Sequence, residues 1–219
     1  MSPIPRVSRP ATRWRLVVPV QRAERAKTRL VAPEGVGKVA LARAIAADTL
    51  DAVCRALTPG DVVVVTSDRA GAALAAGLGA RVVDDPGGGL NAAVAAGLEA
   101  AERSRTGGLG VLLGDLPCLQ PADLVTALEA CARHERAVVP DADGTGTVLL
   151  TSVGGVPEPR FGAGSAARHA ATAALLELDL PRLRRDVDTT ADLGDAVRLG
   201  IGPRTTAALG AEGSPRPPA

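Results

Sequence analysis

Apolar and polar positions change period several times along the chain. Arg15–Val20 (RLVVPV) and Asp61–Thr66 (DVVVVT) are short, nearly unbroken apolar runs, the pattern of strands buried on both faces. Leu109–Leu113 is a third such run and Arg81–Val83 a shorter fourth. Between them lie alanine-rich stretches of helical character: Val36–Leu57, Arg69–Leu78, Leu90 to about Ser104, and Pro121–Arg133. This β-α alternation predicts a mostly parallel sheet with helices on both faces. The pattern then shifts. AVVPDADGTGTVLLTSV predicts two strands around a polar turn, Gly164–Leu176 a helix, LRRDVDT a strand edge, and Thr190–Leu199 a last helix. Residues 1–13 and 210–219 read as flexible tails, so 14–209 is expected to form a single domain.

Composition sharpens this picture. Apolar residues make up 46% of the 219-residue chain but aromatics 1%, so the core must be built of Ala, Val and Leu. Lys plus Arg number 25 and Asp plus Glu 24, a net charge of +1. That balance argues against a general nucleic-acid or membrane-surface binder, which needs a basic excess. No apolar run approaches the roughly 18–20 residues that span a bilayer, and the basic N-terminus lacks a signal-peptide core. Cys54, Cys118 and Cys131 have no metal-ligand spacing and are expected to be buried, reduced thiols of a cytoplasmic protein.

In an open parallel sheet, ligands sit beyond the carboxyl ends of the strands, so the residues there carry the functional reading. Leu109–Leu113 runs into Gly114-Asp115-Leu116-Pro117, which places an acid at a strand end, between a residue that allows close approach and one that sets a turn. Asp115 there can hold a divalent cation. The first strand runs into Pro19 and then a loop carrying Arg22, Arg25, Lys27 and Arg29, four cations suited to a polyphosphate. One of the two lysines in the chain sits in that loop.

DDPGGGLNAAV, Asp84–Val94, puts three glycines before Leu90 and Asn91. Such a backbone can lie against a base that Asn91 bonds, or it is a flexible loop with Asn91 as an N-cap. DADGTGTVLLT and PRFGAGSAARH offer the hydroxyls of Thr145, Thr147 and Ser165 among glycines. Ser165 is either an anion contact at a helix start or a plain N-cap. His169, one turn on, reads either as an ordinary partly buried histidine or as a base. In RRDVDTT, strand alternation sends Asp186 and Asp188 to opposite faces, so only one can share a cation with Asp115. Asp188, nearer the strand end, is either that partner or an N-cap beside Thr189 and Thr190, and Asp186 is left to pair with an arginine. Two familiar motifs fail. EGVGKV lacks the first glycine and the Ser or Thr of a P-loop, and GLGARV lacks the third glycine of a dinucleotide fingerprint. A basic loop, a Gly-rich loop, two separated acids and a hydroxyl-bearing helix start together suit Mg²⁺-dependent nucleotidyl transfer.

The run PVQRAERAKTRL, then DTL, VVVVTSD, GLN, GDLP, GTGT, FGAGSAARH and DVDT, in this order, resembles the CofC/FbiD family. These are phosphoenolpyruvate (or 2-phospho-L-lactate) guanylyltransferases of coenzyme F-420 biosynthesis. The likeness covers about residues 14–206, and AKTRL, GTGT and FGAGS in combination are its specific part. It implies a Rossmann-like, three-layer nucleotidyltransferase fold of the nucleotide-diphospho-sugar transferase type, with GTP and a phosphorylated three-carbon acid as substrates. Carried over, Lys27, Arg29 and Asp115 are catalytic. Pro19, Arg25, Lys27, Gly89, Leu90 and Asn91 hold the nucleotide. Thr147, Gly162 and Ser165 hold the acceptor, and Asp115 and Asp188 the Mg²⁺. The resemblance also implies a hand-over of product to the next enzyme of the pathway. Gln21 stands where the family usually has lysine, which leaves that phosphate contact to Arg22 or Arg25. The Ala- and Arg-rich composition fits a GC-rich genome such as an actinobacterium's, where the family is associated with phosphoenolpyruvate. Two other readings are a molybdenum-cofactor nucleotidyltransferase, which usually carries a Gly-rich stretch after its first strand, and a non-catalytic nucleotide-binding module, in which an acid would be lost.

Overall fold

The structure is a computed structural model that describes residues 9–23, 30–102 and 107–210. Among them, seven strands form one sheet in the order β3-β2-β1-β4-β6-β5-β7. These are β1 (Trp14–Pro19), β2 (Val62–Thr66), β3 (Arg81–Asp84), β4 (Gly108–Leu112), β5 (Arg136–Pro140), β6 (Thr147–Val153) and β7 (Ala174–Leu175). The pairings β3-β2, β2-β1, β1-β4 and β5-β7 are parallel, and β6 runs antiparallel to both neighbours. All residues of β1, β2 and β4 are buried, as their unbroken apolar runs require.

The helices form a layer on each side. Leu16 and Val18 of β1 face one layer, with Leu50 and Val53 of α1 (Lys38–Ala56) and Leu124 and Leu128 of α4 (Pro121–Cys131). The intervening Val17 faces the other, with Val94 and Leu98 of α3 (Leu90–Glu102). This alternation is the period-two consequence of the strand. α3 lies so close to the sheet that a β-carbon at Gly97 would collide with Val17 and come 2.7 Å from Val65. A core with only two buried aromatics, Trp14 and Phe161, is filled largely by bringing backbones together. α2 (Arg69–Gly77) is capped by Asp68, whose carboxylate accepts from the N–H groups of Ala70 and Gly71.

The C-terminal third departs from the expected elements. The helix foreseen over 164–176 is α5 (Ser165–Ala170) alone. The following residues pair with the exposed edge of β5 as β7, and Leu176 N–H donates to Val138 O. The pairing gives backbone groups on that edge of β5 a partner. LRRDVDT is not a strand. Its first residues form α6 (Pro181–Arg184), started by a proline at the first helical position, and 185–188 run irregularly into α7 (Thr190–Leu199), which has a Thr189–Asp192 capping box. A further helix, α8 (Pro203–Gly210), was not foreseen. Its first N–H groups, on Arg204 and Thr205, are capped by the buried carboxylate of Asp48 on α1, 156 and 157 residues away in sequence. Asp61 is not the first residue of β2. It ends a 3-10 turn, Pro59–Asp61, where its buried carboxylate pairs with Arg13 (2.9 Å) and Arg15 (3.0 Å).

Gly97→Ala offers a test of the tight helix-to-sheet contact. An alanine in a helix normally stabilises it by about 1 kcal/mol over glycine. Here the added methyl must displace Val17 or Val65, so the substitution is expected to cost roughly 1–3 kcal/mol and lower the Tm. A raised Tm would overturn the close approach.

Candidate active site

The carboxyl ends of β1, β2 and β4 open onto two adjoining cavities. The larger, about 370 Å³, lies between the loop after β1, Ser67 beyond β2, and the glycine turn before α3. The smaller, about 200 Å³, lies between the turn after β4, α1 and residues 186–188. Pro19, Val20, Gln21 and Leu90 wall both.

Gly87, Gly88 and Gly89 have φ of +80°, +84° and +93°, a left-handed run that residues with a β-carbon rarely adopt. Asp85 accepts from Gly87 N–H (2.9 Å) and lines the larger cavity beside them. Arg22 donates to Ser67 O (3.3 Å) and brings a cation to the same wall. Asp68 fastens the start of this basic loop. Burial works to raise its carboxyl, yet the N–H of Gly71, the Arg43 guanidinium and the N–H of Ala23 outweigh that and hold it below the usual carboxylate range.

The turn after β4 is pinned on three sides. Leu116 N–H donates to the hydroxyl of Thr49 (3.0 Å), whose own proton goes to Ile45 O (3.0 Å). Val187 N–H donates to Asp115 O (3.2 Å), and Gly202 N–H to Pro117 O (2.8 Å). A β-carbon at Gly114 would come 2.7 Å from Pro19 O, so only glycine lets β4 end this close to β1. Asp115, Asp186 and Asp188, all half-buried, line the smaller cavity together.

A third cluster lies at the start of β6, beside the carboxyl end of β4. Thr147, at the start of β6, and Ser165, at the start of α5, have hydroxyl oxygens 3.2 Å apart. Thr147 Oγ1 lies 2.9 Å from His169 Nδ1, and Arg160 N–H donates to His169 Nε2 (2.9 Å). All three side chains are buried. Burial, then the nearby cations of Arg168 and Arg160, against a weaker pull from Glu158, push His169 down from 6.5 to about 4.

The MobA-like NTP transferase domain matches residues 40–187. The phosphoenolpyruvate guanylyltransferase of Salinispora arenicola (strain CNS-205) is 50% identical over 204 residues, which cover 90% of this chain and 94% of that protein. Its namesake in Thermomonospora curvata is 49% identical over 199 residues, 89% of this chain and 87% of the relative. The chain belongs to the phosphoenolpyruvate guanylyltransferase family. It is a nucleotidyltransferase enzyme with the Rossmann-like α/β fold of nucleotide-diphospho-sugar transferases. Solved structures bear out that fold. A Desulfovibrio desulfuricans G20 structure assigned to the nucleotide-diphospho-sugar transferases superposes with a TM-score of 0.58 at 18% identity, covering 85% of this chain and 96% of that one. A cytidylyltransferase from Leptospira borgpetersenii serovar Hardjo-bovis superposes at 0.55 and 13% identity, covering 91% and 93%.

Within this guanylyltransferase chain, Pro19, Gly89 and Leu90 line the larger cavity and Asp115 and Asp188 the smaller. Arg25, Lys27 and Arg29 lie outside the described residues. Asn91 is not an N-cap but the second residue of α3. Its amide clasps the backbone of Phe161 through both ends (3.1 and 2.8 Å), tying the glycine turn to the FGAGS loop. Asp186 and Asp188 do not face opposite ways. Without a strand, strict alternation lapses, and both reach the cavity of Asp115. The N–H groups at the start of α5 are not an open anion cradle. Ser165 N–H donates to Gly162 O (3.0 Å) and Ala166 N–H to Thr145 O (3.1 Å), because the loop folds back on its own helix. Sequence reasoning missed Asp85, Thr49 and Asp186 as parts of the site. DTL and DVDT had marked two of these stretches as family motifs.

Two measurements probe this site. Thr49→Val removes the acceptor of Leu116 N–H in a buried turn and should cost roughly 1–3 kcal/mol, with turnover falling more than the Tm shift explains because Asp115 loosens. Turnover unchanged would show that Thr49 does not hold the turn. For His169, the folded pKa of about 4 lies below the unfolded 6.5. Its contribution to stability is therefore present above pH 6.5 and lost as pH falls towards 4. Between about pH 7 and about pH 4.5, wild type should lose more Tm than His169→Gln, which cannot titrate there. Equal losses would contradict the depressed pKa.

Proposed function

We propose that this chain transfers GMP from GTP to phosphoenolpyruvate, or to 2-phospho-L-lactate, releasing pyrophosphate and giving the corresponding diphospho-5'-guanosine. The observation that carries this is the adjacency of the two cavities: one with a glycine turn and the cation of Arg22, the other with three carboxylates. The names of relatives about half identical over nine-tenths of the chain support the same reaction.

The guanine lies against Gly87–Gly89. The Asp85 carboxylate there accepts from the N1 and N2 donors of guanine, whereas adenine presents an acceptor at N1. Arg22, with Arg25, Lys27 and Arg29, offsets the negative charge of the triphosphate and of departing pyrophosphate. Gln21 cannot supply the charge of the family's usual lysine, and Arg22, on the same wall, takes that place. Thr147, Gly162 and Ser165 hold the acceptor, whose phosphate oxygen attacks the α-phosphorus as the bond to the β-phosphate oxygen breaks. No protein nucleophile is needed.

Asp115 and Asp188, with Asp186 beside them, fit a magnesium ion. They are hard oxygen donors, and the absent β-carbon of Gly114 keeps the turn open between them and β1. Among the described residues, no three His, Cys, Asp or Glu side chains converge tightly enough to encage a metal. A shell shared with phosphate oxygens and water suits that arrangement. When bound, magnesium supplies charge neutralisation at the α-phosphoryl group. Among the described residues no helix is long and apolar enough to cross a membrane. The proposed reaction places the chain in the cytoplasm, with its product handed to the next enzyme of coenzyme F-420 biosynthesis. The molybdenum-cofactor reading lacks its Gly-rich stretch after β1, and a non-catalytic module would not retain Asp115 and Asp188.

Pyrophosphate release with GTP, ATP or CTP, Mg²⁺ and each acid, with mass detection of the product, tests the assignment. GTP with phosphoenolpyruvate should be the best pair, and equal turnover of ATP would sink the base-specific reading. Asp115→Asn should lower kcat by more than about 100-fold while the apo protein melts no lower than wild type, since a charged carboxylate leaves a half-buried site. Wild-type turnover at saturating Mg²⁺ would refute the metal role.

A further inference from the structure

The hydrogen-bond chain behind the acceptor hydroxyls has a fixed direction. The backbone N–H of Arg160 can only donate, so His169 Nε2 must accept with its lone pair. A neutral imidazole carries one N–H, which therefore sits on Nδ1 and points at Thr147 Oγ1, 2.9 Å away. The Thr147 hydroxyl cannot then donate back to the ring. Thr147 and Ser165, 3.2 Å apart, share one hydroxyl hydrogen between them, and the other must be donated outside the pair. The ring is braced as well. Phe161 meets it edge-on at a centroid distance of 5.0 Å, and Arg168 donates from its guanidinium to the carbonyls of Arg160 and Ala163. Thr147 opens β6, and its neighbour's carbonyl, Val148 O, accepts from Leu113 N–H, so the pair stands beside the end of β4 that leads into Asp115.

We infer that His169 is a positioning residue, which by donating from Nδ1 to Thr147 turns the spare hydroxyl hydrogen of the Thr147–Ser165 pair towards an anionic oxygen of the acceptor. This rests on the reading of Thr147 and Ser165 as acceptor contacts. Without the His169 donor, Thr147 can turn its proton inward and present lone pairs to an anion. The device selects for an acceptor with a carboxylate or phosphate oxygen at that point. It does not touch the nucleotide.

Two variants separate donation from mere packing. His169→Gln keeps an oxygen where Nε2 stood, so Arg160 N–H stays bonded, but presents no donor to Thr147. His169→Asn places its amide N–H where Nδ1–H stood and leaves Arg160 N–H without its acceptor. His169→Gln should melt near wild type and raise the acceptor KM roughly tenfold, with the GTP KM unchanged. His169→Asn should melt lower and keep the acceptor KM within about twofold of wild type. If acceptor KM instead follows Tm across the two variants, His169 merely holds the loop and the inference fails. If His169→Asn does not fold, the acceptor KM of His169→Gln decides alone. Thr147→Val is the control. If it raises the acceptor KM while His169→Gln does not, the acceptor site stands and the role of His169 falls. If Thr147→Val leaves the acceptor KM unchanged, the acceptor assignment falls and this inference with it. A ¹⁵N spectrum of the imidazole gives a readout independent of activity: Nδ1 should carry the proton, and protonated Nε2 would overturn the proposal.

Discussion

The pinned turn after β4 is the constraint on which the rest of the site depends. A carboxylate at a strand end is of use only if it is held at a fixed place, and Asp115 gets little of that from its own strand. Its neighbours are fastened instead. Thr49 of α1 takes the N–H of Leu116, the segment before α7 donates through Val187 to Asp115 O, and the residue ahead of α8 donates through Gly202 to Pro117 O. Three parts of the chain distant in sequence thus converge on three consecutive residues, Asp115, Leu116 and Pro117. The Val187 bond matters most for function, because it places the two acids flanking Val187 opposite Asp115.

α8 completes this arrangement from outside. Its N-terminal N–H groups are satisfied by the buried Asp48, one residue before Thr49. One turn of α1 therefore holds both the acid-bearing turn and the helix that buttresses it. A buried carboxylate is costly unless hydrogen-bonded, and Asp48 meets that cost with two backbone donors and the Arg204 guanidinium at 3.7 Å. The other buried acids follow the same rule. Burial works to raise Asp61, but Arg13 and Arg15 outweigh it and hold its carboxyl low.

Asn91 provides the link between the glycine turn and the FGAGS loop. By clasping Phe161 it makes the position of the FGAGS loop depend on the start of α3, and so on the glycine turn. Phe161 then packs against His169, whose ring connects to Thr147 and Ser165. This chain of contacts couples the glycine turn to the Thr147–Ser165 pair without a covalent tie.

The β-α order, the burial of β1, β2 and β4 and the layered fold were legible in the sequence, because period and apolar runs are local properties of the chain. So were Asp115 at a strand end, the glycine turn and the acidic DVDT stretch, since strand ends in a parallel sheet are where ligands bind. The motifs also carried the family resemblance. Tertiary structure alone decided which face Asp186 takes, because the segment is held by a bond to Asp115 O and not by strand pairing. It alone shortened α5, whose continuation finds partners on the edge of β5, and it alone formed α8, capped from 156 residues away. Asn91, Ser165 and His169 were each open to more than one reading for the same reason. A side-chain amide, hydroxyl or imidazole can bond a ligand or a neighbouring backbone, and only the folded chain determines which partner comes within reach.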